Sequence, residues 1–491
     1  MSKVLLINPP FNINKENYDS SISVGLLSIA SYLDSHNINV EIIDGIRQEN
    51  YLELIKNKAK DCDYAGISVM TTQIPHALDI CCLIKKVNSD CKIVWGGAHP
   101  SLFIKQTANH PLIDIVVCGE GEITMNEIAS NKQLSEIKGI AYKDDNKIII
   151  NNKQKLHNPA ETALFNWELM PKEILKNLYL IPSLTSRGCP HQCTFCINAI
   201  LKNHWRPRTA EQVLKDLEII ENKEYFFAKG ESASGGKGRK LRFWDENFFV
   251  DIKRAKDIIN GIIERDLIIP WETTVRANYL RKGMIDEEFL KKLKKSGCYL
   301  LSFGAESGCP RILKKIKKEI MPEDVINSAK LCLKNNIIPQ YSFMVGLPGE
   351  KRSDMMETLK LIDKLVKLSD KIQILGPQAF RPYPGSKLYQ ECLEAGWEEP
   401  ETLDKWGETV KSELNYLNVQ KFPWLDNPDF VESLEAYVRF GAHSIKSALG
   451  STIKANKLIK LPFVLLCKLR WKLKFFSFPW DYKLAKRFVT K

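Results

Sequence analysis

Short apolar runs alternate with helix-like stretches along the first part of this 491-residue chain, residues 3–142. The runs are nearly continuous in apolar, often β-branched residues, as the buried strands of a parallel sheet are. They are Val4–Asn8, Val40–Asp44, Tyr64–Met70, Lys92–Trp95 and Ile113–Val117. Alternation of this kind predicts a doubly wound α/β domain over residues 1–150, with ligands bound beyond the carboxyl ends of the strands.

Small residues gather at these predicted strand ends. Ser68-Val69-Met70 is separated by 25 residues from Gly96-Gly97, and 42 residues lie between Gly25 and Ser68. This spacing resembles cobalamin-binding Rossmann-like domains, in which an Asp-x-His-x-x-Gly loop precedes a Ser-x-Leu element and a Gly-Gly pair. The Asp and His positions fall on Ser20 and Ile22. The resemblance therefore implies cobalamin bound without a protein imidazole on cobalt; tight turns are the alternative for these glycines.

Three cysteines, Cys189, Cys193 and Cys196, directly follow a predicted strand at 181–186 with the spacing Cys-x3-Cys-x2-Cys. Cysteine thiolates are the usual ligands of iron–sulfur clusters, so three on one loop can hold three irons of a cubane. A closed zinc site needs four ligands, and His191, between two of the cysteines, would chelate the same ion only under strain. The sequence predicts an iron–sulfur site, with zinc and unrelated core cysteines as alternatives.

The cysteine spacing, with an aromatic residue before the last cysteine, resembles the signature of the radical S-adenosylmethionine (SAM) superfamily. The resemblance implies a [4Fe–4S] cluster whose fourth iron is chelated by SAM, and cleavage of SAM to a 5′-deoxyadenosyl radical. It also implies a partial (β/α)6 barrel as the core of residues 181–410, with its chemistry at the carboxyl ends of the strands. The predicted strands are Ile181–Ser186, Leu241–Asp245, Trp271–Val275, Tyr299–Gly304, Pro339–Val345 and Lys371–Phe380.

Four predicted strand ends resemble the SAM-contact segments of the cobalamin-dependent branch of this superfamily. The resemblance places Asp245 near the SAM amino group. It places Arg276 near the SAM carboxylate, which a guanidinium can bind through two hydrogen bonds. It assigns the ribose hydroxyls to Glu306 and Ser307, and close approach to the adenine to Gly346. Taken singly, each of these residues could also belong to an ordinary turn or surface pair.

The remaining segments predict no further cofactor. The other ten cysteines have no cluster-like spacing. Residues 151–180 are predicted to be a polar linker, and residues 228–240, rich in Gly and Ser, a flexible insertion before the second barrel strand. Thirteen cysteines without a secretory signal argue against a disulfide framework. Since no run of about 20 apolar residues occurs either, we expect a cytoplasmic protein without a spanning helix.

The C-terminal region, residues 411–491, is predicted to be helical and to end in a basic, aromatic tail. Residues 451–491 hold eleven Lys and Arg residues against one acid, Asp481, which is +10 of the formal net charge of +12. Apolar residues recur there at helical spacing: Leu465, Leu469, Leu473 and Phe476. A basic amphipathic helix suits an anionic membrane surface. The alternatives are a helix packed on the barrel, and a nucleic-acid contact, which the nearly neutral body does not favour.

Together, these resemblances identify the chain as a member of the cobalamin-dependent radical SAM enzymes, with a [4Fe–4S] cluster, SAM and cobalamin as cofactors. They imply methylation of an unactivated carbon. Non-methylating members, including the anaerobic magnesium-protoporphyrin monomethyl ester cyclases, share the architecture. Methylthiotransfer and a non-catalytic cobalamin-binding protein are further alternatives. The expected partners are a small, lipid-like substrate, an electron donor such as flavodoxin or ferredoxin, and an anionic membrane surface, without nucleic acid.

Overall fold

The structure is a computed structural model that describes residues 2–11, 22–145, 147–162, 164–223, 226, 239–267, 269–280, 284–382, 384–412, 419–443 and 457–489. Ser20, residues 451–456 of the tail and all but the last two residues of the predicted insertion 228–240 lie outside these ranges. The chain divides into two compact units. The first comprises Met1–Leu184, Arg206–Lys240 and Glu399–Leu417, and the second comprises Thr185–Trp205, Leu241–Glu398 and Asn418–Lys491. The predicted domain boundaries at residues 150, 180 and 410 remain sequence predictions.

The first unit contains a seven-stranded sheet with the order β2-β1-β3-β4-β5-β6-β7. Its strands are β1 (Lys3–Asn8), β2 (Asn39–Asp44), β3 (Tyr64–Ser68), β4 (Lys92–Gly96), β5 (Ile115–Val117), β6 (Ile140–Asp144) and β7 (Lys147–Ile150). The first five pair in parallel, with Ile7 opposite Ile67 and Ser68 opposite Gly96. The last two form an antiparallel hairpin at the edge. The predicted doubly wound sheet is confirmed.

Eight further strands follow: β8 (Leu180–Ser183), β9 (Ser186–Arg187), β10 (Arg206–Pro207), β11 (Lys240–Phe243), β12 (Trp271–Val275), β13 (Cys298–Glu306), β14 (Ile338–Val345) and β15 (Gln373–Ala379). In the second unit, β11 to β15 are parallel neighbours in chain order. All six predicted barrel strands are present, the first of them as β8. The side chains of β11, β12 and β14 alternate between buried and more exposed positions, as in Trp271–Val275, whereas all four residues of β8 are buried.

The helices in the described part of the chain are numbered in sequence order. They are α1 (Val24–Ser35), α2 (Tyr51–Lys58), α3 (Ile74–Val87), α4 (Ala98–Leu102), α5 (Ile104–Asn109), α6 (Glu122–Ala129), α7 (Lys172–Lys176), α8 (Ile197–Ile200), α9 (Ala210–Glu221), α10 (Ile252–Glu264), α11 (Glu287–Lys295), α12 (Pro310–Lys315), α13 (Pro322–Lys334), α14 (Arg352–Leu368), α15 (Lys387–Glu394), α16 (Leu403–Ser412), α17 (Pro428–Tyr437), α18 (Lys457–Leu473) and α19 (Trp480–Val489). Many begin at side-chain caps: Asp251 and Asp286 each accept a hydrogen bond from the third residue of the helix that follows. Within the described ranges, we find no helix with both the length and the apolar character needed to cross a bilayer.

The segment predicted to be a polar linker, residues 151–180, packs into the first unit. Trp167, Met170 and Leu175 are buried. The Trp167 ring meets the Phe226 ring edge-on at a centroid distance of 5.0 Å. The prediction of a linker was based on the polar residues and prolines of this segment. Its few large apolar side chains instead decide its position, because burying them lowers the free energy of the folded chain.

Candidate functional site

The carboxyl ends of β11 to β14 carry residues that were predicted to contact SAM. Asp245 lies two residues beyond β11, and Arg276 directly follows β12. Glu306 ends β13, and Gly346 directly follows β14. Because these four strands are parallel neighbours, their carboxyl ends share one edge of the sheet. The structure therefore brings the four predicted segments to the same edge.

Three free thiols lie on the cysteine loop, which we define as residues 188–196. Cys193 is buried, whereas Cys189 and Cys196 are partly exposed. Burial raises the pKa of both the Cys189 and the Cys196 thiol, and the neighbouring cysteines reinforce the increase. A bound cation would reverse this preference by stabilising the thiolates. Three thiolates from one loop are the donor set expected for a cubane that leaves one iron to another ligand.

The zinc alternative requires that the side chains of the cysteine loop share one metal ion, unlike a cubane. In the described ranges, no three His, Cys, Asp or Glu side chains are grouped as ligands of one metal ion. In a cubane, each cysteine binds its own iron. His191, the zinc alternative's fourth ligand, has both ring nitrogens within hydrogen-bond reach of protein groups: Nε2 is 2.9 Å from Tyr279 Oη and Nδ1 is 3.3 Å from Glu319 Oε2.

Backbone contacts hold the cysteine loop in place. The Cys189 amide donates to the Asn203 carbonyl at 3.1 Å, and the Thr194 amide donates to the Ile316 carbonyl at the same distance. Gly188, where the loop begins, has φ of +79°. A Cβ at Gly188 would lie 2.7 Å from the Asn203 carbonyl oxygen. Only glycine combines this φ with such close backbone contact, so the loop conformation depends on it.

Arg276 lies against the buried thiol of the cysteine loop. Its Nη1 is 3.8 Å from Cys193 Sγ, and its Nη2 donates to the Lys318 carbonyl. The Nε atom is buried and has no hydrogen-bond partner in the described part of the chain. The guanidinium also opposes the rise in the pKa of Cys189 that burial causes. A cation at this position favours thiolates and is available to an anionic ligand.

Glu306 is paired with a lysine that the sequence analysis did not single out. Lys318 Nζ lies 2.8 Å from Glu306 Oε1, with both side chains mostly buried. The pair packs over Gly304, where a Cβ would lie 2.7 Å from Lys318 Nζ. Glu306 also has φ of +62°, which is uncommon for a residue with a side chain. Only the fold brings this lysine to the end of β13.

Asp245 and Ser307 are engaged by the protein itself. The Asp245 carboxylate accepts hydrogen bonds from the Thr185 amide at 2.8 Å, from the Thr185 hydroxyl at 2.6 Å and from the Ser186 hydroxyl. Burial raises the pKa of Asp245, and these hydrogen bonds oppose the increase. Ser307 Oγ is 3.1 Å from Thr358 Oγ1 and accepts from the Cys309 amide. Both side chains therefore hold together segments of the chain.

A chain of hydrogen bonds extends from the cysteine loop to the end of β11. Asn247 Nδ2 donates to Tyr279 Oη at 3.0 Å. The Tyr279 hydroxyl lies 2.9 Å from His191 Nε2 and can donate to it, in which case the His191 proton would be on Nδ1, toward Glu319. Burial lowers the pKa of His191, which agrees with a neutral ring. Sequence reasoning considered His191 only as a metal ligand and did not predict this network.

Two of the three predicted cobalamin-binding segments meet in the first unit. The Val69 amide, next to Ser68, donates to the Gly96 carbonyl at 2.8 Å. Gly97 has φ of +102°, and a Cβ there would lie 2.9 Å from the Val69 nitrogen. Gly25, in the first turn of α1, has no atom of the described residues within 4 Å of where its Cβ would be. The Ser and Gly-Gly elements thus form one compact turn pair, and open space adjoins Gly25. A glycine at such a position allows close approach to the backbone.

His99, just beyond that turn pair, is a buried imidazole that the sequence analysis did not identify. Its Nδ1 is 3.1 Å from Thr71 Oγ1. Its ring packs in a three-ring cluster with those of Phe103 and Trp406, at centroid distances of 4.9 and 5.6 Å. Burial lowers the pKa of His99 to about 3, so the ring is neutral near pH 7. Within the described residues, Nε2 has no hydrogen-bond partner.

Two family models match the chain. The Radical SAM superfamily model covers residues 183–362, and the B12 binding domain model covers residues 18–129. An uncharacterised methyltransferase of Pyrococcus horikoshii is 30% identical over 82% of this chain and 87% of its own length. The anaerobic magnesium-protoporphyrin IX monomethyl ester cyclase of Rubrivivax gelatinosus is 24% identical over 75% of this chain and 64% of its own length.

Among solved structures, the radical SAM methyltransferase TsrM from Kitasatospora setae, with cobalamin and a [4Fe–4S] cluster bound, has a similar fold. The TM-score is 0.66 at 17% identity, over 83% of this chain and 81% of TsrM. Together with the two family models, this similarity confirms the predicted combination of a cobalamin-binding domain and a radical SAM barrel. The chain belongs to the cobalamin-binding radical SAM enzymes, whose cofactors are a [4Fe–4S] cluster, SAM and cobalamin.

Proposed function

We propose that this enzyme methylates an unactivated carbon of a hydrophobic small molecule. The observation that carries the proposal is the cysteine loop, fixed by Gly188 and backed by Arg276, at the strand ends of a radical SAM core. Methylation, rather than another radical outcome, is supported by the methyltransferase named above, whose length this chain largely covers. The bound cofactors supply an electron for SAM cleavage and a carrier for the methyl group.

In this proposal, Cys189, Cys193 and Cys196 each bind one iron of the [4Fe–4S] cluster. Arg276 is the partner of the SAM carboxylate, since its guanidinium lies beside Cys193 and keeps a buried donor, Nε, without a protein acceptor in the described chain. A guanidinium aligned with a carboxylate both orients it and stabilises its charge. Glu306, held by its lysine partner, is the acceptor for ribose hydroxyls.

Three other predicted SAM contacts receive supporting roles. Asp245 positions the segment that leads into the cysteine loop, because its carboxylate is bonded to Thr185 and Ser186. Ser307 stabilises the turn after β13 through its bond to the Cys309 amide. At Gly346, a Cβ would lie 2.9 Å from a methyl carbon of Val431, so the glycine admits helix α17 as well as a ligand.

For cobalamin, we assign the contact surface to Gly25, Ser68, Gly96 and Gly97. Gly25 adjoins open space, and the other three form the turn pair at the ends of β3 and β4. The cobalt would have no imidazole from position 22, because Ile22 is a buried aliphatic residue. An electron donor of the flavodoxin or ferredoxin type completes the proposed partners of the reaction.

Cyclisation is the second candidate, and it is favoured by the similarity to the Rubrivivax cyclase. The products distinguish the two reactions. Methylation adds one methyl group, traceable from isotopically labelled SAM, whereas a cyclase leaves the label in the SAM-derived product. Anaerobic turnover with labelled SAM and mass analysis of the substrate therefore decides between them.

The cluster assignment is tested by replacing Cys189, Cys193 and Cys196 with alanine. After anaerobic reconstitution with iron, sulfide and hydroxocobalamin, we expect loss of about four irons per chain, of the cluster absorbance and of reductive SAM cleavage. The matched control replaces Cys82 and Cys118, which lie outside the loop, with alanine and should keep all three properties. Full iron content in the triple variant would contradict the assignment.

A further inference from the structure

An exposed apolar surface covers the two C-terminal helices. Half of the sixteen large apolar side chains that are exposed in the described chain lie within residues 457–489. We call them the tail face: Leu461, Leu465, Leu469, Leu473, Phe475, Phe478, Trp480 and Leu484. Their exposed fractions run from 42% at Leu461 to 78% at Phe478. Single exposed apolar residues are normal on a protein surface, whereas a contiguous group of them usually marks an interaction site.

Helix α18 is apolar on two opposite sides. One side is buried through Val464, Cys467 and Trp471. The Trp471 indole donates to Asp363 at 3.0 Å. The tail-face leucines recur every four residues on the other side, which corresponds to one stripe along a helix. The predicted stripe of Leu465, Leu469, Leu473 and Phe476 is thus split, because Phe476 is buried whereas the three leucines are exposed.

A buried arginine holds the loop between α18 and α19 in shape. Arg470 Nε donates to Asp481 Oδ2 at 2.7 Å, and its guanidinium also donates to the carbonyls of Phe475, Ser477 and Phe478. Phe478 has φ of +51°, a rare conformation for a bulky residue. The chain therefore maintains a strained loop that leaves two phenylalanine rings exposed. Such preorganisation indicates a surface built for contact.

The charge around the tail face is positive. Residues 457–489 contain nine Lys and Arg residues and one acid, Asp481, an excess of eight. Asp481 is buried with Arg470. Three carboxylates of neighbouring helices, Asp363, Asp429 and Glu432, pair with tail lysines and reduce the excess to five. Lysines beside exposed leucines and aromatic rings match an anionic lipid surface, where rings sit at the headgroup level and lysines meet the phosphates.

We propose that the tail face docks the enzyme onto an anionic lipid bilayer, with the leucine stripe and the Phe475–Trp480 loop in the headgroup region. Two copies of this chain meeting through the same face would bring like charges together, which disfavours self-association. The inference concerns the surface of the second unit and does not depend on the reaction that the enzyme catalyses.

The experiment uses the full-length, reconstituted protein and vesicles of phosphatidylcholine mixed with phosphatidylglycerol. The test variant combines Leu465→Ser, Leu469→Ser and Phe478→Ser. The control variant combines Leu52→Ser, Ile150→Ser and Met321→Ser, which removes three exposed apolar side chains elsewhere. We expect the wild type and the control to sediment with the vesicles at low salt, and the test variant to bind about tenfold more weakly. High salt should release the wild type, since its Coulomb attraction is screened.

Reductive SAM cleavage in the absence of lipid serves as the folding check and should be equal in all three proteins. Binding of the test variant at the wild-type level would overturn the proposal, and so would a wild type that ignores the mixed vesicles. A wild-type dimer that the test variant converts to monomer would assign the face to a second copy instead. Because lipid binding is measured without substrate, a failure here is distinct from a failure of the proposed methylation.

Discussion

Single residues at the cysteine loop show why spacing alone does not describe the site. Gly188 is required by its φ of +79° and by the Asn203 carbonyl beside it, neither of which can be read from the cysteine pattern. Arg276 and Glu306 lie at the strand ends where the family resemblance placed them. The partner of Glu306, Lys318, follows α12 and reaches it only in the folded chain.

We expect Gly188→Ala to lose most of the cluster, because the added Cβ would push against the carbonyl oxygens of His204 and Asn203 and shift the Cys189 amide that bonds to the second. Iron content and cluster absorbance after reconstitution measure the effect. Gly25→Ala is the matched control for the iron readout, since no atom of the described chain lies within 4 Å of its Cβ position. If Gly188→Ala binds iron as the wild type does, the loop does not need this backbone conformation.

The turn after β14 shows how one element can carry a pH dependence. Glu350 accepts hydrogen bonds from the Gly346 amide at 2.6 Å and the Leu347 amide at 3.0 Å. Burial raises the pKa of Glu350 from 4.5 to about 7, against the effect of those bonds. Its Oε1 has no partner among the described residues. The folded turn therefore favours a protonated Glu350 near pH 5.

The pKa of Glu350 is higher in the folded chain than in the unfolded chain. The contribution of protonated Glu350 to the free energy of unfolding is therefore complete below pH 4.5 and is lost as the pH rises to about 7. The loss amounts to about 3 kcal/mol of unfolding free energy. We expect Glu350→Gln to remove this dependence, since the amide that replaces the carboxyl group stays neutral and its oxygen can accept the same bonds. Urea unfolding below pH 4.5 and above pH 7 measures this pH dependence. Glu398→Gln, which changes an exposed carboxylate, is the control. An unchanged pH slope in Glu350→Gln would rule out the assignment.

At the scale of the whole molecule, segments far apart in sequence complete each compact unit. The first unit includes Glu399–Leu417, which follows the barrel strands in the chain. Trp406 of α16 is fully buried there, against His99 and Phe103. Residues 1–150 alone would lack this contact, so the core of the first unit is not continuous in sequence.

We expect Trp406→Ala to lower the free energy of unfolding by about 3 to 5 kcal/mol, as loss of a large buried aromatic side chain does. The same substitution at Trp480, which is mostly exposed, should change it by less than about 0.5 kcal/mol. Chemical denaturation of both variants beside the wild type measures the difference. Equal stability of the two variants would show that α16 contributes little to this core.

The order of strands and helices, the two α/β regions and the cysteine spacing were determined by the sequence itself, because periodicity and turn residues act over a few neighbouring positions. Tertiary structure decided what local patterns do not encode. Asp245 bonds to Thr185, 60 residues away, and Trp406 completes a core that begins near residue 3. Helix α18 is apolar on both sides, so periodicity could not tell which side is buried. Contacts with distant segments determine which side of α18 is buried, since burial depends on what packs against a helix and not on the helix's own pattern.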